Sequence, residues 1–314
     1  MSTGEFGHRP VLFNEVIEAM QVRPDGVYVD GTFGRGGHAD AMLALLGDNG
    51  RLIVMDKDPE AVASARERHA NDARVTVIHD DYAHMGRHME ALGLRELVDG
   101  VLVDLGVSSP QLDDAARGFS FQTNGPLDMR MNKDAGMTAA EWLRRAEERE
   151  IADVLWRFGE ERFSKRIARR IVDYRRDNPI DDTATLAALI SECVPKGREK
   201  KHPATRSFQA IRMKVNEELE NLGSLLDGIF DVLKVGGRLL VISFHSLEDR
   251  LVKRFMRKQS SAPEIPRGLP VMQSDLQAGI RLKVIGKAIS AGADEVQTNP
   301  RARSAVLRIA ERIA

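Results

Sequence analysis

Five short apolar runs, each leading into a turn, constrain this chain more than any other feature. They are Val27-Tyr-Val-Asp30, Arg51-Leu-Ile-Val-Met-Asp56, Val75-Thr-Val-Ile78, Gly100-Val-Leu-Val-Asp104 and Arg238-Leu-Leu-Val-Ile-Ser243. Their apolarity is continuous rather than alternating, as in strands buried on both faces, so a parallel sheet with helices on either side is expected. Ala39–Leu46 and Glu60–Ala70, between the first three runs, are good helix formers. The chain therefore opens as a β-α-β-α-β unit of an α/β fold.

More than 130 residues separate the fourth and fifth runs, far too many for one crossover helix. Within that gap Thr138–Phe158, Glu161–Arg176 and Thr183–Val194 read as helices, flanked by loops at Gly118–Asn132 and Pro195–Pro203. The pattern predicts an all-helical insertion over residues 113–202, with the sheet domain made of 1–112 and 203–314. The total of 314 residues suits two such bodies. An insertion at the carboxyl edge of the sheet stands where ligands bind in open α/β folds, and is expected to recognise substrate.

A net charge of −1 rules out a globally basic nucleic-acid coat but permits local basic patches. The single cysteine, Cys193, excludes a disulfide framework and a cysteine-based metal site. The N-terminus has no charged-then-apolar leader, and no apolar run reaches the ~18 residues that span a bilayer. A soluble cytoplasmic protein, with no membrane partner, is expected.

After the first run comes Asp30-Gly-Thr-Phe-Gly34-Arg-Gly36-Gly37-His38-Ala39. Glycines at a strand-to-helix turn let the backbone approach a ligand closely, and the helix N-terminus offers unpaired N–H groups. The segment Gly34-x-Gly36-x-x-Ala39, with Asp56 further on, fits the dinucleotide fingerprint. Charge favours a different cofactor. Asp30 would repel a pyrophosphate, whereas S-adenosylmethionine brings an ammonium and a sulfonium, both attracted to carboxylates. Asp56 suits ribose hydroxyls in either reading. His79-Asp-Asp-Tyr82 offers an acid and an aromatic face. The pair His84-x-x-x-His88 has helical metal-ligand spacing but no evident third ligand, so no metal is expected.

The fourth run leads into Asp104-Leu-Gly-Val-Ser-Ser109-Pro-Gln-Leu-Asp113. Methylating an exocyclic base amine requires acceptors on its N–H groups, because its lone pair is delocalised into the ring, together with in-line positioning. Ser108 and Ser109, beside Pro110, are the candidate catalytic acceptors.

Together these segments resemble the bacterial ribosomal RNA small subunit methyltransferase H family (MraW). The similarity extends through Arg117-Gly-Phe-Ser-Phe121, Gly125-Pro-Leu-Asp-Met-Arg-Met131, Gly159-Glu-Glu-Arg-Phe163, His202-Pro-Ala-Thr-Arg206, Ser243-Phe-His-Ser-Leu-Glu-Asp-Arg250 and Asn299-Pro-Arg-Ala-Arg-Ser304. Asn124 and Ser207 depart mildly from the family pattern. The resemblance implies a class I (Rossmann-like) methyltransferase sheet carrying the helical insertion. It further implies transfer of a methyl group from S-adenosylmethionine to N4 of one cytidine near the ribosomal decoding centre. It places cofactor contacts at Gly36, Gly37, His38, Asp56, Tyr82, Asp104 and Gln111.

Two basic clusters supply a surface for RNA. Arg162–Arg176 and Pro195–Lys214 each hold seven Lys/Arg against one acid. Arg169, Arg170, Lys200, Lys201, His202 and Arg206 are the candidate RNA contacts, through phosphates rather than bases. His245, just beyond the fifth run, is a candidate contact to the target base. The expected partner is small-subunit rRNA or the 30S particle, and a homodimer is compatible with the sequence. Two rivals remain: a dinucleotide-dependent oxidoreductase, and a non-catalytic RNA-binding or assembly factor.

Overall fold

A computed structural model describes residues 10–195, 202–262 and 279–314. Two compact units divide the chain, one formed by Met1–Gly106 with Glu220–Ala314 and the other by Val107–Leu219.

The first unit begins with α1 (Phe13–Met20), β1 (Val27–Asp30), α2 (Gly37–Leu45), β2 (Arg51–Asp56), α3 (Pro59–Arg68), β3 (Val75–His79), α4 (Met85–Ala91) and β4 (Val98–Asp104). The second unit carries α5 (Ser109–Asp113), α6 (Ala139–Arg145), α7 (Glu148–Gly159), α8 (Ser164–Tyr174), α9 (Thr183–Cys193) and α10 (Thr205–Asn216). The chain returns through α11 (Glu218–Gly228) to β5 (Leu233–Ser243), α12 (Ser246–Gln259), β6 (Leu282–Val284), β7 (Ile289–Ser290) and β8 (Val306–Arg312).

The strands of the first unit form one sheet in the order β3-β2-β1-β4-β5-β8-β6, with β7 also on β8. Strands β1 to β5 are parallel and β8 runs antiparallel to β5. Alternate residues of each buried strand feed two cores. Val29, Ile53, Met55, Val101, Val103 and Val241 meet Met85, Leu222, Leu226 and Val252 on one face. Tyr28, Leu52, Val54, Leu102, Leu240 and Ile242 meet Val16, Met20, Met42 and Leu43 on the other. Burial on both faces is why these runs are apolar throughout. The strand order reverses between β1 and β4, the switch point at which such sheets bind ligands.

The second unit is helical, with a core of its own that includes Leu127, Trp142, Ile151, Leu155, Ile167, Ile171, Leu186, Ile190, Phe208 and Ile211. It extends beyond residues 113–202 at both ends, because α5 precedes those limits and α10, packed on α7, follows them. The single helix expected over Thr138–Phe158 is two. Ala146 and Glu147 adopt extended backbone between α6 and α7, and Trp142 Nε1 donates to Glu150 Oε1 across the break (3.0 Å). Buried Arg117 fastens the irregular segment after it, donating to the carbonyls of Arg130 (3.1 Å) and Met131 (2.8 Å). Asn216 adds a second clasp, accepting from Met131 N–H and donating to Met129 O, both at 2.7 Å. Among the described residues, no helix is long and apolar enough to cross a membrane.

Candidate active site

The turn after β1 is laid across the ends of the neighbouring strands. Gly31 N–H donates to Leu102 O and Phe33 N–H to Met55 O, each at 2.9 Å. Thr32 Oγ1 accepts from Asp104 N–H at 2.7 Å. Gly34, at φ +53°, donates its N–H to Asp56 Oδ2 at 2.8 Å. Among the described residues a Cβ at Gly34 would meet only Thr32 O, at 3.9 Å, and the backbone there favours glycine. At the expected contact residues Gly36, also at positive φ (+78°), and Gly37, close packing adds a reason for glycine. A Cβ would strike the Phe33 ring at Gly36 and the Pro10 ring at Gly37.

Three carboxyls end three adjacent strands here. Asp30 is 2 % exposed and its Oδ1 accepts from Thr32 N–H (3.1 Å). Burial pushes it up to about 7, against the Thr32 N–H, with Asp56 and Asp40 adding to the rise. Asp56 Oδ1 accepts from Asp58 N–H at 2.9 Å, complementing the bond from Gly34. Burial lifts Asp56 to about 6 against those two N–H groups. Asp104 is raised well above the usual carboxylate range by burial, then by Asp30 and Glu248, and its buried Oδ1 has no hydrogen-bond partner among the described residues. A buried acceptor without a donor costs ~1–3 kcal/mol, so this group awaits one.

The other expected positions in this unit are more firmly held. His38 lies in the first turn of α2, 6 % exposed and stacked on Phe13 at 6.0 Å between centroids. Burial pulls its imidazole down to about 4, so it is a neutral core ring. Tyr82 begins the short turn after β3, its Cβ 3.3 Å from where a Gly31 Cβ would stand. The acids before it are engaged: Asp81 with Lys57 (2.7 Å) and Asn221 (2.8 Å), Asp80 with His84, His88 and Arg87 at 2.7–2.9 Å. The histidine pair thus faces a carboxylate. Against the effect of burial, hydrogen bonds from both rings hold Asp80 well below its usual range. His245 is the N-cap of α12, its Nδ1 accepting from Glu248 N–H (3.4 Å). Glu248 in turn accepts from Phe244 N–H (2.9 Å) and sits 2.9 Å from His245 Nε2.

In the helical unit, Ser108 is the N-cap of α5 and forms a capping box with Gln111, whose Oε1 accepts from Ser108 N–H (2.9 Å). Ser109 is the first helical residue. Gln111 is 5 % exposed. The basic cluster is partly spent within the unit. Arg170 pairs with Glu192 (2.8 Å) and lies over Tyr174, Arg176 pairs with Asp173 (3.1 Å), and Arg175 holds Leu143 O. Arg169 projects, its side chain 75 % exposed with Glu148 3.7 Å away. His202 packs its ring on Phe121 at 4.6 Å and accepts from Ala204 N–H (3.2 Å), and Arg206 is exposed on α10. Lys200 and Lys201 lie outside the described residues.

Asp30 and Glu248 are the site groups that the resemblance did not carry over. Asp30 was visible as the polar end of an apolar run. Glu248 lay within the resembling segment Ser243–Arg250 without a role assigned to it, because that role comes from capping α12.

Comparison with known proteins bears on the whole chain. Residues 5–313 match the family model described as the MraW methylase family. A protein of Thioalkalivibrio sulfidiphilus named ribosomal RNA small subunit methyltransferase H is 56% identical over 307 residues, 98% of each chain. Proteins with the same name from Alteromonas mediterranea and Coxiella burnetii are 53% and 52% identical, covering 98% of this chain and 98% and 99% of their own.

Proposed function

This chain belongs to the MraW methylase family, and from that premise we propose that it methylates N4 of one cytidine of small-subunit ribosomal RNA near the decoding centre. The substrate is the free rRNA or the 30S particle. S-adenosylmethionine, when bound, supplies an electrophilic methyl on a positively charged sulfur. The carrying observation is the carboxyl pair Asp30 and Asp104, buried on either side of the switch point with no cation on either among the described residues, beside the turn at Gly34. That donor set fits a ligand bearing an ammonium and a sulfonium, and it would repel the pyrophosphate of a dinucleotide.

In this reading Asp30 and Asp104 receive the donor's positive groups, and Asp56 shares its remaining lone pairs with the ribose hydroxyls. Gly36, Gly37 and His38 shape the turn from behind, and Tyr82 offers its ring to the adenine. Gln111 contributes through the cap it forms with Ser108. Ser109, free of the capping role, accepts an N4 hydrogen of the extruded cytidine and draws the nitrogen lone pair out of the ring. Ser108, as cap, fixes the position of Ser109. His245, anchored by Glu248, borders the base. Arg169, Arg170, Lys200, Lys201, His202 and Arg206 hold the RNA backbone and set its register. The helical unit is the substrate-recognition domain. The reading is tested by incubating the protein with methyl-labelled S-adenosylmethionine and 30S particles, or naked rRNA, and digesting the RNA to nucleosides. Label in N4-methylated cytidine is expected; label elsewhere, or none in either substrate, refutes it.

A further inference from the structure

We propose that Asp30 and Asp104 together hold a proton in the donor-free protein and give it up when the positively charged methyl donor binds, so that the pair distinguishes the donor's sulfonium from the neutral thioether left after transfer. The inference rests on the reading of this site as an S-adenosylmethionine site and adds a proton to its binding equilibrium.

The geometry is that of two carboxyls that nothing among the described residues neutralises. Asp30 pairs in register with Leu102, which places Asp104 two residues further along the neighbouring strand. Asp30 is almost wholly buried, and Asp104 Oδ1 is buried without a hydrogen-bond partner among the described residues. The charged groups facing them from the surrounding elements are acids: Asp56 from β2, Asp40 from α2 and Glu248 from α12. The nearby cations are committed elsewhere. Arg68 (2.8 Å) and His69 (3.4 Å) are on Asp40, Lys57 (2.7 Å) is on Asp81, and His245 (2.9 Å) is on Glu248. Two buried like charges without a counter-ion are strongly disfavoured, so at neutral pH the pair retains a proton. Burial acts in the same direction, raising Asp30 to about 7 and Asp104 well above the usual carboxylate range.

A bound sulfonium reverses the preference, because a carboxylate beside a cation is the stable form. The proton then leaves to solvent. During transfer the S–CH3 bond breaks with its electron pair kept by sulfur, and the sulfonium charge disappears. The amine nitrogen forms the new N–C bond with its lone pair and loses one proton, while the carboxyl pair takes one up. Over a full turn one proton is released per methyl, as the overall reaction requires. The product therefore leaves a site whose carboxyls no longer face a sulfonium.

The test is calorimetry on the full chain at pH 7 in buffers of different ionisation enthalpy, with S-adenosylmethionine and S-adenosylhomocysteine as separate ligands. Release of close to one proton is expected with the methionine form, and less than half as much with the homocysteine form. Affinity for the methionine form should rise with pH from 6 to 7, up to about tenfold per unit, and level off above the free-state titration. Asp104→Asn should reduce the proton release; should that variant bind too weakly to measure, the comparison of the two ligands on the unaltered protein still decides. Binding with no proton release, or with equal release for both ligands, overturns the inference and leaves the site reading intact. Failure of S-adenosylmethionine to bind at all defeats both.

Discussion

Replacing Asp30 with Asn should stabilise the donor-free protein while weakening its hold on the donor. Asp30 titrates near 7 in the folded chain because it is buried, and an unfolded aspartate titrates near 3.9. Between those values the unfolded state is ionised and the folded state is protonated. Stability from this residue is therefore complete below about pH 4 and is lost as pH rises through about 7. The loss runs at about 1.4 kcal/mol per pH unit, or about 4 kcal/mol in all. Asparagine has the same shape, keeps an oxygen for the Thr32 N–H bond now made at 3.1 Å, and never ionises. From pH 5 to pH 8 the variant should gain roughly 2.5–3 kcal/mol over the parent. For a unit of about 200 residues this is a melting-temperature gap widening by about 5–10 °C. Relief of Asp104 from its acidic neighbour acts in the same direction. Thermal unfolding of both proteins across that range, without ligand, is the assay. A gap that stays constant with pH, or a variant less stable at pH 8 than at pH 5 relative to the parent, would refute the buried-carboxylate reasoning.

Four other outcomes are expected. Asp56→Ala removes the acceptor for Gly34 N–H and Asp58 N–H and should weaken S-adenosylmethionine by about 1–3 kcal/mol, roughly ten- to hundredfold by calorimetry; unchanged affinity would remove Asp56 from the site. Ser108→Ala deletes the cap of α5 and should cost about 0.5–2 kcal/mol of stability. Ser109→Ala should leave the melting temperature in place and slow single-turnover methyl transfer at saturating cofactor and RNA; a normal rate in Ser109→Ala moves the acceptor elsewhere. Charge reversal at Arg169, Arg170, Lys200 and Lys201 should weaken RNA binding and flatten its salt dependence with donor affinity unchanged; an unaltered slope would make the cluster a solvated face.

Much of the sheet was readable because burial on both faces writes itself into the sequence. The runs Val27–Asp30 and Arg51–Asp56 are β1 and β2 to the residue. The fourth strand begins earlier than its apolar run, at Val98, because Asp99 is neutralised inside the structure by Arg23 and Lys234 and accepts from Val27 N–H (2.9 Å). The fifth begins at Leu233, ahead of two glycines that hide it. Strand β8 alternates buried and partly exposed residues on the antiparallel edge, a weaker pattern than the buried runs. The break between α6 and α7 was not legible, since Ala-Glu-Glu-Arg-Glu is a good helical sequence and tertiary packing of Ala146 overrides it.

At the site, residue types disclosed the chemistry and the fold then sorted their duties. Asp30 and Asp56 stand at strand ends as their positions implied. His38 and Ser108 carry structural work, stacking and capping, that a motif cannot reveal. The basic count over Arg162–Arg176 overstated the uncommitted charge, because Arg170, Arg175 and Arg176 each bind a group of their own unit. A charge count along a chain records the residues and not their partners.

The most direct test of the activity is nucleoside mapping of small-subunit rRNA from cells with and without the gene for this chain. The expected result is loss of the N4-methyl mark from one cytidine near the decoding centre, restored by the intact protein but not by Asp104→Asn. Full retention of that mark in cells lacking the protein would contradict it.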